Sequence, residues 1–252
     1  MQLTLLGTGT SHGVPVIACN CRVCRSDDPR NKRTRCGAWV QHQGVSILID
    51  TPPELRLQAV REGIRSLDAV LFTHSHADHI FGLDDVRRFS SIQCGHVPCY
   101  GLPGTLADVR RAFWYAFEGT QLGGGKPEID LRPMPSELTI RGLTVQAVPA
   151  LHGSLPVLGY RFGPVAYLTD CSVIPEATKD LLRGLGVLVL GALRYRPHPT
   201  HMNFEEALRV VDELRPSRTY FTHLTHDIDY EEATAALPPN VSLAIDGLVI
   251  SI

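Results

Sequence analysis

His74-Ser75-His76-Ala77-Asp78-His79 places four metal-ligating side chains within six positions, directly after the apolar run Leu67-Asp68-Ala69-Val70-Leu71-Phe72-Thr73. Neutral imidazoles and carboxylates are ligands that zinc, manganese and iron share. Sites that leave a coordination position open make a hydrolytic nucleophile from bound water. One ion rarely uses all four groups. The spacing assigns His74 and His76 to one metal and turns Asp78 and His79 toward a second. The plain alternative is a histidine-rich surface turn, but a strand that delivers so dense a cluster has little structural use for it.

A second centre is suggested upstream, where Cys19-Asn20-Cys21-Arg22-Val23-Cys24 gathers three thiols in six residues. They could fill three of a zinc ion's four positions, with the fourth ligand coming from elsewhere. Free core cysteines and a redox pair are the competing readings. Cys36, Cys94, Cys99 and Cys171 are scattered and read as buried small hydrophobes.

Further polar candidates fall at strand ends, where an open α/β sheet presents its ligands. His152 follows a strand ending at Pro149, Asp170 follows Val165 to Thr169, and His223 follows Tyr220-Phe221-Thr222. With the first four they make a set large enough for two metals, Asp170 bridging. His226, three residues after His223, is placed to reach the cysteine cluster as its fourth ligand. Asp50, also at a strand end, reads as an acceptor that orients a metal-bound histidine.

The elements that must position these groups form two similar halves. In the first, strands at about 2 to 7, 37 to 42 and 45 to 50 precede a helix over 53 to 63, a strand at 67 to 73 and a helix beginning near His79. In the second, strands near 137 to 141, 143 to 149, 158 to 162 and 165 to 169 lead to a helix over Pro175 to Arg183. A strand at 187 to 193, a helix at 203 to 214 and a strand at 218 to 222 follow. Asp246-Gly247 is read as the last hairpin. Two mixed sheets stacked face to face, with helices outside, make an αββα sandwich of one domain over residues 1 to 252. The segment from Gly101 to Pro133 breaks the pattern. Its Phe113, Trp114, Tyr115, Phe117 and Gly123-Gly124-Gly125 suit either a helix packed on the core or a rim of the substrate pocket.

Composition sets the background. The chain has 252 residues, 44% of them hydrophobic, enough for one large core. Seven cysteines and an opening Met1 to Leu6 too short for a signal peptide point to a reducing, cytoplasmic compartment. No run of 18 apolar residues suggests a membrane span. A net charge of -2 exerts no general pull on nucleic acid. The local basic run Arg22, Arg25, Arg30, Lys32, Arg33 and Arg35 is read chiefly as a solvated face, with an anionic substrate or RNA surface as the lesser reading.

H-x-H-x-D-H, a later His, a later Asp and a final His in this order resemble the metallo-β-lactamase superfamily. Three further features narrow the resemblance: Leu6-Gly7-Thr8-Gly9-Thr10, the Cys19, Cys21, Cys24 cluster, and Thr222-His223-Leu224-Thr225-His226-Asp227. Together with the ending Ala244-Ile245-Asp246-Gly247-Leu248-Val249 they are similar to the PhnP-type cyclic phosphodiesterases that accompany carbon–phosphorus lyase. The resemblance implies two catalytic divalent metals, manganese or zinc, held by His74, His76, Asp78, His79, His152, Asp170 and His223. It implies a structural zinc on Cys19, Cys21, Cys24 and His226, a homodimer, and a small phosphorylated substrate such as 5-phosphoribosyl 1,2-cyclic phosphate. It points to His201, within Pro197-His198-Pro199-Thr200-His201-Met202-Asn203, as a catalytic residue that is not a ligand, alongside Asp78; His198 is the rival. Arg194 and Arg196, or the basic run, would hold a second phosphate.

Relatives sharing Ala192-Leu193-Arg194 usually carry Asp just before it, whereas this chain has Gly191, and His12 is unmatched. Three other functions stay open. A ribonuclease Z-like endonuclease uses nearly the same ligands, but Pro15-Val16-Ile17-Ala18-Cys19 occupies the loop where its P-x-K-x-R-N type motif would lie, and no tRNA-binding arm is evident. A non-enzymatic zinc module would not need open metal positions. A thioester or lactone hydrolase could use the same scaffold.

Overall fold

The computed structural model describes residues 1–118 and 125–252. Its strands begin, in chain order, with β1 (Gln2–Gly7), β2 (Gly37–His42), β3 (Val45–Ile49), β4 (Ala69–Leu71), β5 (Val97–Gly101), β6 (Ile129–Pro133) and β7 (Glu137–Ile140). Then follow β8 (Leu143–His152), β9 (Leu155–Phe162), β10 (Val165–Leu168), β11 (Val187–Gly191), β12 (Arg218–Thr222), β13 (Val241–Leu243) and β14 (Leu248–Ser251). The helices are α1 (Arg22–Arg25), α2 (Leu55–Arg61), α3 (Ala77–Ile80), α4 (Arg87–Gln93), α5 (Pro103–Ala112), α6 (Trp114–Phe117), α7 (Glu176–Lys179), α8 (Phe204–Leu214) and α9 (Tyr230–Ala236).

Two seven-stranded sheets result, ordered β14-β1-β2-β3-β4-β5-β6 and β13-β12-β11-β10-β9-β8-β7. Each sheet is antiparallel on one side and parallel on the other. Strand alternation explains the layering. In β3, Ile47 and Ile49 face the other sheet and join Leu3, Val40, Val145, Tyr160 and Val189 in the central core. Leu48 between them points outward, into a layer with Leu55, Phe89 and Val109 beneath the helices. On the far side, Leu188 and Leu190 pack under Phe204, Ala207 and Val211 of α8. That helix starts where a capping box is formed: Asn203 Oδ1 accepts from Glu206 N, and Glu206 accepts from Asn203 N, both at 2.8 Å, an arrangement worth about 1 kcal/mol. The αββα architecture thus agrees with the sequence reading.

Four details differ from it. The strand expected to stop at Pro149 runs on to His152. Past Gln146, β8 has left β7 behind, so a proline without an N–H is tolerated at position 149. Asp246-Gly247 is not a hairpin: β13 belongs to the second sheet and β14 to the first. The partly buried Asp246 carboxylate accepts from Thr8 Oγ1 at 2.8 Å and from Thr34 N at 2.8 Å, which fastens the turn to the first sheet. Cys94 is exposed and not core; it closes α4 in the left-handed conformation, φ 51°. Arg33 leaves the supposed basic face and is buried, donating to the carbonyls of Thr225 and Ile228 at 3.1 and 2.8 Å.

The segment from Gly101 to Pro133 contributes α5, α6 and the edge strand β6. Gly123 and Gly124 lie outside the described residues. No helix among the described residues is long and apolar enough to cross a membrane.

Candidate metal centres

The candidate ligands come off the C-terminal ends of strands, where the two sheets open. β4 delivers the 74–79 turn, β10 delivers Asp170 and β12 delivers His223; His152 ends β8. Asp50, Asp170 and His223 take left-handed backbone angles, φ 62°, 49° and 59°. Such angles are uncommon for residues with a side chain, and they turn these groups sharply out of their strands.

Two groups of ligand atoms form, each within 4.8 Å: His74, His76 and His152 in one, Asp78, His79, Asp170 and His223 in the other. This is the division that the spacing suggested. Asp170 stands between them, with Oδ2 3.8 Å from His74 Nε2 and 3.5 Å from His79 Nε2, and Oδ1 3.2 Å from His223 Nε2. His74 Nε2 and His76 Nδ1 face each other at 3.0 Å. Among the described residues, His79 Nε2 and both nitrogens of His223 are buried without a hydrogen-bond partner. The two Nε2 atoms, facing the carboxylates of Asp78 and Asp170 yet bonded to neither, are costly to bury unless a cation lies between. The donor set therefore fits divalent metal ions.

Electrostatics agree. Burial works to lower the His79 imidazole, but the carboxylates of Asp170 and Asp50 outweigh it and hold the ring well above the ordinary histidine value. Burial likewise works to raise Asp170, while His223, His79 and His74 outweigh it and hold the carboxyl well below its usual range. The cluster demands anionic oxygens and positive charge together.

Groups behind the ligands fix their orientation. His79 Nδ1 lies 2.7 Å from Asp50 Oδ2. Asp50 in turn accepts from Thr73 N at 2.8 Å and Thr73 Oγ1 at 2.7 Å, and that hydroxyl touches His74 Nδ1 at 3.0 Å. His152 Nδ1 lies 2.6 Å from the Thr200 carbonyl, leaving Nε2 to face the site. Asp50 has the place assigned to it from sequence; Thr73 and the Thr200 carbonyl carried no role in that reading. A hydroxyl directly before the first histidine was the available signal for Thr73, whereas a backbone carbonyl leaves none.

His201 enters from the loop before α8. Its ring centroid is 4.4 Å from that of His152 and 4.9 Å from that of His223, and its Nδ1 is 4.0 Å from Asp170 Oδ2. Burial, reinforced by His223, lowers its pKa to about 3. His198 stands behind it, 5.0 Å between centroids, with Nδ1 3.3 Å from Thr200 Oγ1. Gly191 ends β11 against this cluster. A Cβ there would stand 3.2 Å from Asp170 N, so a side chain would press on the backbone that presents the bridging carboxylate.

The second centre also assembles. His226 Nδ1 lies 3.2, 3.4 and 3.6 Å from the sulfurs of Cys19, Cys21 and Cys24. One nitrogen cannot bond three thiols at once, but a tetrahedral ion with metal–sulfur bonds of about 2.3 Å and a metal–nitrogen bond of about 2.0 Å has edges of roughly 3.5 Å. The amide of Cys24 is the largest influence drawing the Cys21 thiol down, to about 6, while burial pushes Cys24 up to about 11. The remaining basic residues are mostly engaged. Arg22 pairs with Glu232 at 2.5 Å, Arg30 with Asp28 at 2.6 Å and Arg196 with Asp227 at 3.3 Å, and Arg35 also pairs with Glu54. Arg194 turns back onto the carbonyls of Arg196 and Pro197, at 3.3 and 3.1 Å.

Comparison with known proteins places this geometry. The sequence model of a family described as the beta-lactamase superfamily domain matches residues 46–224. A solved structure described as a new diphosphatase from the PhnP family superposes with a TM-score of 0.93 at 42% identity, covering 100% of this chain and 97% of that one. An octanoyltransferase from Porphyromonas gingivalis is 38% identical over 255 residues, which take in 98% of this chain and 51% of that protein. The chain thus spans about half the length of that relative. A ribonuclease Z from Mycobacterium sp. (strain KMS) is 29% identical over 215 residues, covering 77% of this chain and 69% of that protein. The chain therefore belongs to the metallo-β-lactamase superfamily, with a metallo-hydrolase fold resembling the PhnP family.

Proposed function

We propose that this protein is a phosphodiesterase that hydrolyses a small cyclic phosphodiester, 5-phosphoribosyl 1,2-cyclic phosphate being the first candidate. The observation that carries this reading is the adjacency of the two ligand groups, Asp170 of the second lying 3.8 Å from His74 Nε2 of the first, with the His201 ring set against both His152 and His223. Two manganese or zinc ions would be held by His74, His76 and His152 and by Asp78, His79, Asp170 and His223, and a structural zinc by Cys19, Cys21, Cys24 and His226. Divalent ions held there would supply Lewis acidity to the phosphoryl oxygens and an activated water nucleophile. A homodimer is part of the same proposal.

The chain's own residues supply the rest. A sugar alkoxide is strongly basic and leaves poorly without a proton. His201 donates that proton to the departing oxygen, its ring charged by the anionic phosphoryl group that arrives beside it. Thr200 holds His152, and Asp50 holds His79, so that neither ring swings as charge develops. Asp78 and Asp170 keep the centre's positive charge within bounds for release of an anionic product.

The 42% identity to a protein described as a diphosphatase favours a second reading, cleavage of a phosphoric anhydride. A panel comparing a five-membered cyclic phosphate, bis(p-nitrophenyl) phosphate, a dinucleoside diphosphate, p-nitrophenyl phosphate, a thioester and a pre-tRNA separates the possibilities. The cyclic ester should be the best substrate by kcat/KM, bis(p-nitrophenyl) phosphate should be turned over clearly, and the monoester only slightly, because its dianion crowds the two ions. A dinucleoside diphosphate ranked first would establish the second reading. A thioester or pre-tRNA ranked first would overturn both.

A further inference from the structure

We propose that Gly153 is a positioning residue for the metal centre: because it carries no side chain, Thr200 seats against it, and that seat fixes both the orientation of His152 and the place of His201. The part that concerns His201 rests on the phosphodiesterase reading. The part that concerns His152 rests on the candidate metal centre alone.

His152 ends β8 and pairs with Leu155 at the start of β9, so Gly153 and Ser154 make a two-residue turn. Gly153 takes φ 61° there, which favours glycine on its own account. A second constraint comes from outside the turn. A Cβ at position 153 would stand 2.9 Å from Thr200 Cγ2, well inside the contact distance of two carbon atoms. The turn is not free to back away, because Gly153 N donates to Ser172 Oγ at 3.0 Å and that hydroxyl donates to the Leu151 carbonyl at 3.2 Å. A side chain at 153 would therefore push on Thr200.

Thr200 carries more than its own position. Its carbonyl is the acceptor 2.6 Å from His152 Nδ1, and His201 is the next residue. On the other side of His201, Met202 N donates at 3.0 Å to the carbonyl of Cys171, which follows Asp170. His201 is thus held between two clamps, each made on a candidate ligand or on its neighbour in sequence. The clamp at Met202 is a backbone hydrogen bond that any residue but proline can make. The clamp at Thr200 depends on the bare α-carbon of Gly153. A displacement of about 1 Å at a reacting group is enough to cost about 10²-fold in rate.

The test moves a methyl group across the contact. Gly153→Ala should weaken metal binding at the His74, His76, His152 group by about tenfold or more, as loss of a ligand's fixed acceptor does. With the metal sites saturated, it should lower kcat about 10- to 10²-fold on a substrate with an alkyl leaving group, and only slightly on bis(p-nitrophenyl) phosphate. Adding Thr200→Ser, which removes Cγ2 and keeps the hydroxyl, should restore both the affinity and the ratio between the two substrates. The melting temperature should stay low in the double variant, because φ 61° strains any side chain at 153; recovery of function without recovery of stability separates the seat from the turn. Parental metal affinity in Gly153→Ala, or the same losses in the single and double variants, overturns the proposal. If alanine prevents folding, Thr200→Gly removes the seat and leaves the turn alone, and parental metal affinity there overturns it equally. If the parent protein hydrolyses no phosphodiester, the phosphodiesterase reading fails, and the metal titrations decide the seat on their own.

Discussion

His201→Ala should keep its metals yet lose on the order of 10²- to 10⁴-fold in kcat on a substrate with an alkyl leaving group. With bis(p-nitrophenyl) phosphate the loss should shrink to a small factor, because p-nitrophenolate departs without a proton. The comparison is needed because the geometry allows His201 a second role. His152, Asp170 and His201 also offer ligand atoms within 4.8 Å of one another. A ligand would impair both substrates alike and lower the metal content. Loss of metal, or one common factor on both leaving groups, would make His201 a ligand or binding residue and leave His198 as the candidate acid.

Asp50→Ala should weaken metal binding at the Asp78, His79, Asp170, His223 group by about 10- to 100-fold. Asp50 touches no substrate and acts through His79. Its removal strips the acceptor from His79 Nδ1, Thr73 N and Thr73 Oγ1 in a fully buried place. The ring then loses its fixed tautomer and direction. Titration of the metal-stripped variant, with circular dichroism to confirm folding, measures the effect. An affinity equal to that of the parent protein would show that Asp50 is only a structural hydrogen-bond acceptor.

Much of the site was legible because its chemistry is local. His74, His76, Asp78 and His79 are close in sequence and directly follow an apolar strand. Long-range placements were less visible. Arg33 looked like one member of a solvated basic run, and its burial depends on carbonyls 192 and 195 residues away. Asp246-Gly247 carries turn chemistry that suits a hairpin and a crossover equally; Thr8 and Thr34 decide between them, and both lie at the other end of the chain. Gly191 appeared as a departure from relatives, and it lies where a Cβ would stand 3.2 Å from Asp170 N.

The central claim is that this chain builds two kinds of metal centre, one closed by sulfur and one open for catalysis. Elemental analysis of freshly purified, folded protein before and after mild chelation tests it most directly. About three ions per chain are expected, two released readily and one retained. His74→Ala should reduce the exchangeable fraction, whereas Cys21→Ser should remove the retained ion and lower the melting temperature. One ion or none in the parent protein, or a Cys21→Ser variant with parental metal content and melting temperature, would contradict the account.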